Sequence, residues 1–208
     1  MACCEDDACG RQAPVVSPQY RRILVVALVV NALMFGVEVV AGSVAGSNAL
    51  LADALDFMGD AANYGISLYV LGMALVWRAR AALIKGVTMG LFGMWVLGKT
   101  VHDLWSGVPP EALAMGVVGA LALAANVLVA FLLYRFRNGD SNMQSVWICS
   151  RNDAIGNIAV IVAAVAVGMT GHAWPDLLVA FGIAALALSG AVRIIGQAQH
   201  ELQETATS

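Results

Sequence analysis

Six apolar blocks, at about 23–44, 49–76, 82–104, 112–134, 146–169 and 175–195, take up most of this chain. A helix of about 20 apolar residues crosses the roughly 30 Å hydrocarbon core of a bilayer, and each block is long enough to do so. None alternates apolar and polar residues as a barrel strand does. Several are rich in glycine and alanine, which suits close helix packing in lipid. Of the 208 residues, 60% are hydrophobic and 12% charged. A soluble domain is about half apolar and about a quarter charged. Disorder and fibrous repeats are therefore excluded, and a net charge of -3 offers no basic field for nucleic acid. The expected fold is all-α: a polytopic membrane protein with six transmembrane helices in a bundle.

The organisation is simple. Residues 1–20 form a polar head with Cys3, Cys4, Cys9, Glu5, Asp6 and Asp7, then Pro14 and Pro18. It is acidic before it is basic and lacks an early apolar stretch, so it does not read as a standard signal peptide, and flexibility is expected. Residues 21–197 form the six-helix membrane domain. Residues 198–208 are a short tail, with no room for a C-terminal cytoplasmic domain. Connections are expected at 42–47, 77–80, 105–111, 135–145 and 170–174. Arg11, Arg21, Arg22, Arg78, Arg80, Lys85, Arg135, Arg137 and Arg193 fall on one side of such a topology, with Arg151 toward it and Lys99 near the other side. The positive-inside bias then puts both termini in the cytoplasm, as in a multi-pass protein of a bacterial inner membrane. The four cysteines lack the spread of a disulfide framework and read as reduced thiols on that side.

The acids inside the blocks carry the chemistry. Block 1 holds Glu38, block 2 holds Asp53, Asp56 and Asp60, and block 5 holds Asp153. A charged side chain at the centre of a membrane helix costs roughly 2.5–3.5 kcal/mol on insertion scales. Arg151 is the one basic residue expected at comparable depth, and it cannot neutralise five acids. Bound cations or bound protons can. Asp53, Asp56 and Asp60 are spaced i, i+3 and i+7, and Cys149 and Asp153 are i and i+4, so each set shares a helix face. Asp56 and Asp60 with Cys149 and Asp153 make an O,O,S,O donor set that suits tetrahedral Zn²⁺, and the thiolate admits softer ions such as Cd²⁺. Other readings stand beside this one. A lone membrane cysteine packs as a small apolar residue, though its spacing to Asp153 favours a ligand. Asp53 and Glu38 can be protonated and hydrogen-bonded. Asn31, Asn63, Asn126 and Asn157 suit interhelical hydrogen bonds. Asp53, Glu38, Asn31 and Asn157 are the candidates to back the ligands or to pass protons. The nine methionines are scattered and read as packing; His102, His172 and His200 read as surface residues.

The run from Asn31 to Asp60 has an Asn and a Glu in the first helix and a Gly/Ser turn (Gly42, Gly46, Ser47). Then comes Ala-Leu-Leu-Ala-Asp53-Ala-Leu-Asp56-Phe-Met-Gly-Asp60. It resembles the signature of the cation diffusion facilitator family. The segment Cys149-Ser-Arg-Asn-Asp153-Ala-Ile-Gly-Asn157 resembles that family's second element, a His or Asp four residues before an Asp. The resemblance covers the six-helix region and implies no enzyme and no resident cofactor. It implies a divalent-metal/proton antiporter that exports Zn²⁺-like ions (Cd²⁺ or Co²⁺ being alternatives) from the cytoplasm as a homodimer in the bilayer. The family's ligand positions fall on Asp56, Asp60 and Asp153, and Cys149 replaces the usual His or Asp. Many family members end in a cytoplasmic metal-binding domain. Its absence here would leave the dimer to the membrane helices, and Cys3, Cys4 and Cys9 could then collect metal. The same cysteines also read as incidental thiols in an acidic tail. A channel-like route for another heavy-metal ion and a metal-binding sensor or accessory subunit are the competing classes. No nucleophile–base pair or phosphate loop points to catalysis.

Overall fold

A computed structural model describes residues 18–69, 75–135 and 141–207; the side chains of 75, 78, 141–152 and 204–207 lie outside that description. The head with Cys3, Cys4 and Cys9 lies outside it too. Six helices account for nearly everything else: α1 (Pro18–Ala45), α2 (Asn48–Tyr69), α3 (Leu75–Ser106), α4 (Ala112–Tyr134), α5 (Ser141–Thr170) and α6 (Trp174–Thr207). Among the described residues, five of them are long and apolar enough to cross a membrane. The sixth, α2, carries the three aspartates and sits in the middle of the bundle, packed on α1, α3, α5 and α6. The closest pairings are α3 with α6, α4 with α5 and α1 with α2.

The α1–α2 corner is tight. Gly46 takes φ 70° just past the end of α1. Ser47 N–H then reaches back to Gly42 O at 2.9 Å, the six-to-one bond of a glycine-terminated helix. Ser47 Oγ at once accepts Leu50 N–H at 3.1 Å and so caps α2. Only Gly46 and Ser47 separate the helices, a shorter connection than the expected 42–47. Beside the corner, Gly42 lets α1 and α2 touch. A Cβ there would meet Leu51 Cγ at 3.0 Å and the Leu51 backbone nitrogen at 3.1 Å. Backbone cannot swing aside, so Gly42→Val should cost about 1–3 kcal/mol, read as a lower thermal midpoint in detergent. Gly36, with nothing within 4 Å of its would-be Cβ, is the control, and Gly36→Ala should leave the midpoint unchanged or higher.

Hydrogen bonds show that the helices alternate in direction. Glu111 N–H at the start of α4 donates to Ala45 O at the end of α1 (2.9 Å). Asp176 at the start of α6 bonds Ser47 at the start of α2, where Asp103 near the end of α3 bonds Asn48. The end of α5 joins that same rim through a three-residue turn to Trp174. We call this end the clasp end. The opposite end holds the start of α1 with Arg21 and Arg22, the start of α3 with Arg80, and Arg135 after α4.

The core is built of small side chains. Ala49, Leu50, Leu51, Ala52 and Leu55 of α2 pack with Val96, Met115, Val160, Ala163, Ala164, Ala180, Ala184 and Ala187 from the other helices. Toward the opposite end, Tyr20, Leu24 and Ala27 of α1 pack with Tyr64 of α2 and with Val129 and Leu133 of α4. The outer surface is large and apolar: Val44, Leu113, Phe131 and Met169 are each more than 70% exposed. Such a surface suits lipid and would aggregate in water. This is a multi-pass membrane protein.

Other expected bounds are corrected, and residues 141–145, expected in a connection, belong to α5. Residues 77–80 are helical and belong to α3, where Arg80 lies over the Trp77 ring at 5.1 Å. The expected tail is also mostly helix, because α6 continues to Thr207. Its last turns are polar helix formers, including Gln197 and Glu201, paired four residues apart at 3.3 Å. An apolar block marks where a helix is greasy and says little about where its backbone bonding stops.

Candidate metal site between α2 and α5

The aspartates of α2 occupy successive turns, and each meets something different. Asp60 brings its carboxyl group within hydrogen-bonding reach of Asp153 on α5. Its Oδ2 also accepts the Tyr64 hydroxyl at 2.9 Å, one turn along the same helix. Asp56 lies between, close enough to feel the charges of Asp53, Asp60 and Asp153. Asp53 turns to α1 and meets Glu38 within hydrogen-bonding reach. Ionised carboxylates only accept hydrogen bonds, so each touching pair needs a proton or a cation between its oxygens.

Burial grades along the helix. From Asn48 to Leu55 every residue of α2 is 1% exposed or less. Asp56 is partly exposed, as are Ala61, Ala62 and Asn63; Asp153 across on α5 is partly exposed as well. Asp60 is 8% exposed. The Asp56–Asp60–Asp153 cluster therefore has accessible surface, whereas α2 is sealed on the clasp side of it. Glu38 is fully buried, and among the described residues no donor reaches either of its carboxylate oxygens.

The fourth expected ligand, Cys149, sits on α5 one turn before Asp153, but its side chain lies outside the described residues. The same holds for Arg151. Among the described side chains, no three His, Cys, Asp or Glu converge into a ready-made metal cage. The described part is a pair within hydrogen-bonding reach, Asp60 and Asp153, with Asp56 a turn away.

The asparagines diverge from one another. Asn63 accepts from Lys85 of α3, an interhelical bond of the expected kind. Asn31 instead bonds within its own helix, Nδ2 to Ala27 O at 2.8 Å, and its Oδ1 meets no donor among the described residues. Asn157 is fully buried one turn beyond Asp153, and neither polar atom of its amide has a hydrogen-bond partner among the described residues. Lys85 corrects the reading that Arg151 was the one cation at this depth. Its ammonium lies near enough to Asp60 to interact with its charge. The signal was present in the sequence: Lys85 stands ten residues into α3, too deep to be only a topology marker. At the clasp end, the sequence places Ser47 in the connecting turn and Lys99 near the other side, and does not single out Asn48, Asp103 or Asp176. His102 and His172 are exposed, in keeping with surface residues.

Tyr64 holds one oxygen of Asp60, Oδ2, and so helps to orient its carboxyl group. Losing a group that orients a metal-binding residue costs about 10–100-fold in affinity or activity. Tyr64→Phe should fall in that range, measured as the metal affinity of purified protein, with the fold unchanged.

The model of the cation efflux transmembrane domain matches residues 24–79 and 77–202. Among characterised relatives, the chain is 23% identical over 88% of its length to the cadmium, cobalt and zinc/H(+)-K(+) antiporter of Bacillus velezensis, covering 63% of that protein. It is 24% identical over 87% of its length to the zinc transporter ZitB of Pectobacterium atrosepticum, covering 61% of it. To the metal cation efflux system protein CzcD of Cupriavidus metallidurans it is 25% identical over 76% of its length, covering 54% of that protein. The chain thus spans less than two thirds of the length of these relatives. With six alternating helices and carboxylates clustered between α2 and α5, this chain belongs to the cation efflux family and carries its transmembrane domain.

Proposed function

We propose that this chain is the transport domain of a secondary active antiporter that moves divalent metal cations out of the cytoplasm in exchange for protons. Zn²⁺ is the first candidate, with Cd²⁺ or Co²⁺ as alternatives. The observation that carries this is the contact between Asp60 and Asp153 across two membrane helices, with Asp56 beside it. Acids packed against each other at membrane depth hold either protons or a cation, and exchanging one for the other is the antiport step. Asp56, Asp60, Cys149 and Asp153 are the ligands in this reading. Ligands must be deprotonated to bind, so metal affinity falls as pH falls. Metal enters when the site is open to the cytoplasm. Protons arriving from the other side then displace it.

The names of the relatives support the ion class, and the antiporter from Bacillus velezensis supports proton coupling. The basic residues at the end opposite the clasp support a topology with that end, and both termini, on the cytoplasmic side. A homodimer held by membrane helices belongs to the same reading, as does metal collection by Cys3, Cys4 and Cys9. The test is reconstitution in proteoliposomes with an imposed pH gradient. Zn²⁺ or Cd²⁺ should accumulate against its own gradient and stop when a protonophore collapses the pH difference. Downhill flux indifferent to the protonophore would make the protein a channel.

A further inference from the structure

We propose that Asp176 is a latch that closes the release side of the bundle and opens in each transport cycle. The proposal rests on the reading above, in which the metal site faces the two sides in turn.

Asp176 lies in the first turn of α6 and is 1% exposed. Both of its carboxylate oxygens are spent on the start of α2. Oδ1 accepts Ser47 Oγ–H at 2.6 Å and Ala49 N–H at 3.1 Å. Oδ2 accepts Asn48 N–H at 2.8 Å. Leu50 N–H goes to Ser47 Oγ. The backbone donors that a helix start leaves open are therefore taken up partly by a carboxylate from another helix, which also suits the positive end of the α2 dipole. A second tie runs from α3. Asn48 Nδ2 donates to Asp103 Oδ2 at 2.8 Å. Lys99 Nζ donates to Asn48 Oδ1 at 3.0 Å and to Asp103 Oδ2 at 2.6 Å.

The placement of these bonds gives them their role. α3 and α6 pack chiefly on each other, and α2 packs chiefly on α1. The clasp crosses that boundary and joins α2 to both members of the other pair. Directly beneath it lie residues 49–55 of α2, the sealed stretch between the clasp end and Asp56. An ion leaving Asp56 and Asp60 toward that end needs the first two turns of α2 to part from α6. The apolar cluster there joins Ala49, Leu50, Leu51, Ala52 and Leu55 of α2 with Ala180, Ala184 and Ala187 of α6. It carries no polar tie of its own, so the directional hold on α6 at this end is the set of charged hydrogen bonds of Asp176.

A static staple and a latch respond oppositely to being locked. In the double variant Ser47→Cys, Asp176→Cys, the two side chains that now touch can be joined by an oxidant. Cross-linking should cut Zn²⁺ flux in proteoliposomes by about tenfold or more, by removing one of two states the cycle must populate. Reductant should restore the flux. Unchanged flux in the cross-linked protein overturns the proposal, as does a folded double variant that never cross-links. A second arm reads no flux, so it fails separately from the transport reading. Ala52→Cys is placed in wild-type and Asp176→Ala backgrounds in sealed vesicles. A membrane-impermeant maleimide is added on the clasp side, and peptide mapping separates residue 52 from the native cysteines. Asp176→Ala should raise labelling at 52 several-fold, with Asp176→Asn between the two. Equal labelling in all three backgrounds overturns the latch, and this arm decides if the reduced double variant is itself inactive.

Discussion

Asp60→Ala and Asp153→Ala should each abolish pH-gradient-driven Zn²⁺ or Cd²⁺ transport while the protein remains folded in the membrane. The two carboxyl groups lie within hydrogen-bonding reach across α2 and α5, so either deletion removes half of the described pair. Loss of a group that merely supports a metal ligand costs about 10–100-fold, and loss of a ligand should exceed that. Folding should be spared, because replacing an acid at membrane depth with alanine removes a costly group. The expected signature is therefore normal membrane levels, normal thermal midpoint, and metal binding weakened beyond the Tyr64→Phe effect. Transport at wild-type rate in either variant would remove the α2–α5 pair from the ion path.

Glu38→Gln should separate metal binding from transport. Glu38 is fully buried on α1, beside Asp53, and among the described residues no donor reaches either carboxylate oxygen. It lies off the Asp56–Asp60–Asp153 cluster, so equilibrium Zn²⁺ affinity should change by no more than a few-fold. Gln keeps the volume but cannot take up or give up a proton. A carboxyl pair that carries protons past the metal site would then be lost, and gradient-driven flux should fall by about tenfold or more, the low end of what a positioned proton-transfer group contributes in catalysis. Flux equal to wild type would make the Glu38–Asp53 pair structural. Equal losses in affinity and flux would instead place Glu38 among the ligands.

Much of this was legible in the sequence, for one physical reason. A charge inside an apolar block has nowhere to hide, so Asp56, Asp60 and Asp153 stand out before any fold is known. Their helical spacing predicts the facing surfaces of α2 and α5, and the described Asp60–Asp153 contact has that form. Helix ends were less legible. Polar helix formers let α6 run to Thr207, and the aromatic and basic residues at 77–80 let α3 start early. The clasp was missed because Ser47, Asn48, Asp103 and Asp176 sit where polar residues are ordinary. Asp176 does follow Trp174 and Pro175 at a helix start, a pattern that marks the helix end without saying whose donors the carboxylate takes. The same spacing argument grouped Asp53 with the other two, and at about 100° per residue it does fall on nearly the same face as Asp60. What separates it is height: at about 1.5 Å per residue it lies roughly 10 Å along α2 from Asp60, where it meets Glu38 of α1.

Metal-edge X-ray absorption of the Zn²⁺-loaded protein, with Cys3, Cys4 and Cys9 replaced by serine, tests the ligand set most directly. The account predicts four-coordinate Zn²⁺ with one sulfur at about 2.3 Å and oxygens at about 2.0–2.2 Å. The sulfur should vanish in Cys149→Ser, and the shell should loosen in Asp60→Ala. A shell of oxygen and nitrogen alone in the protein that retains Cys149, or one unchanged by either substitution, would contradict a metal held by Asp56, Asp60, Cys149 and Asp153.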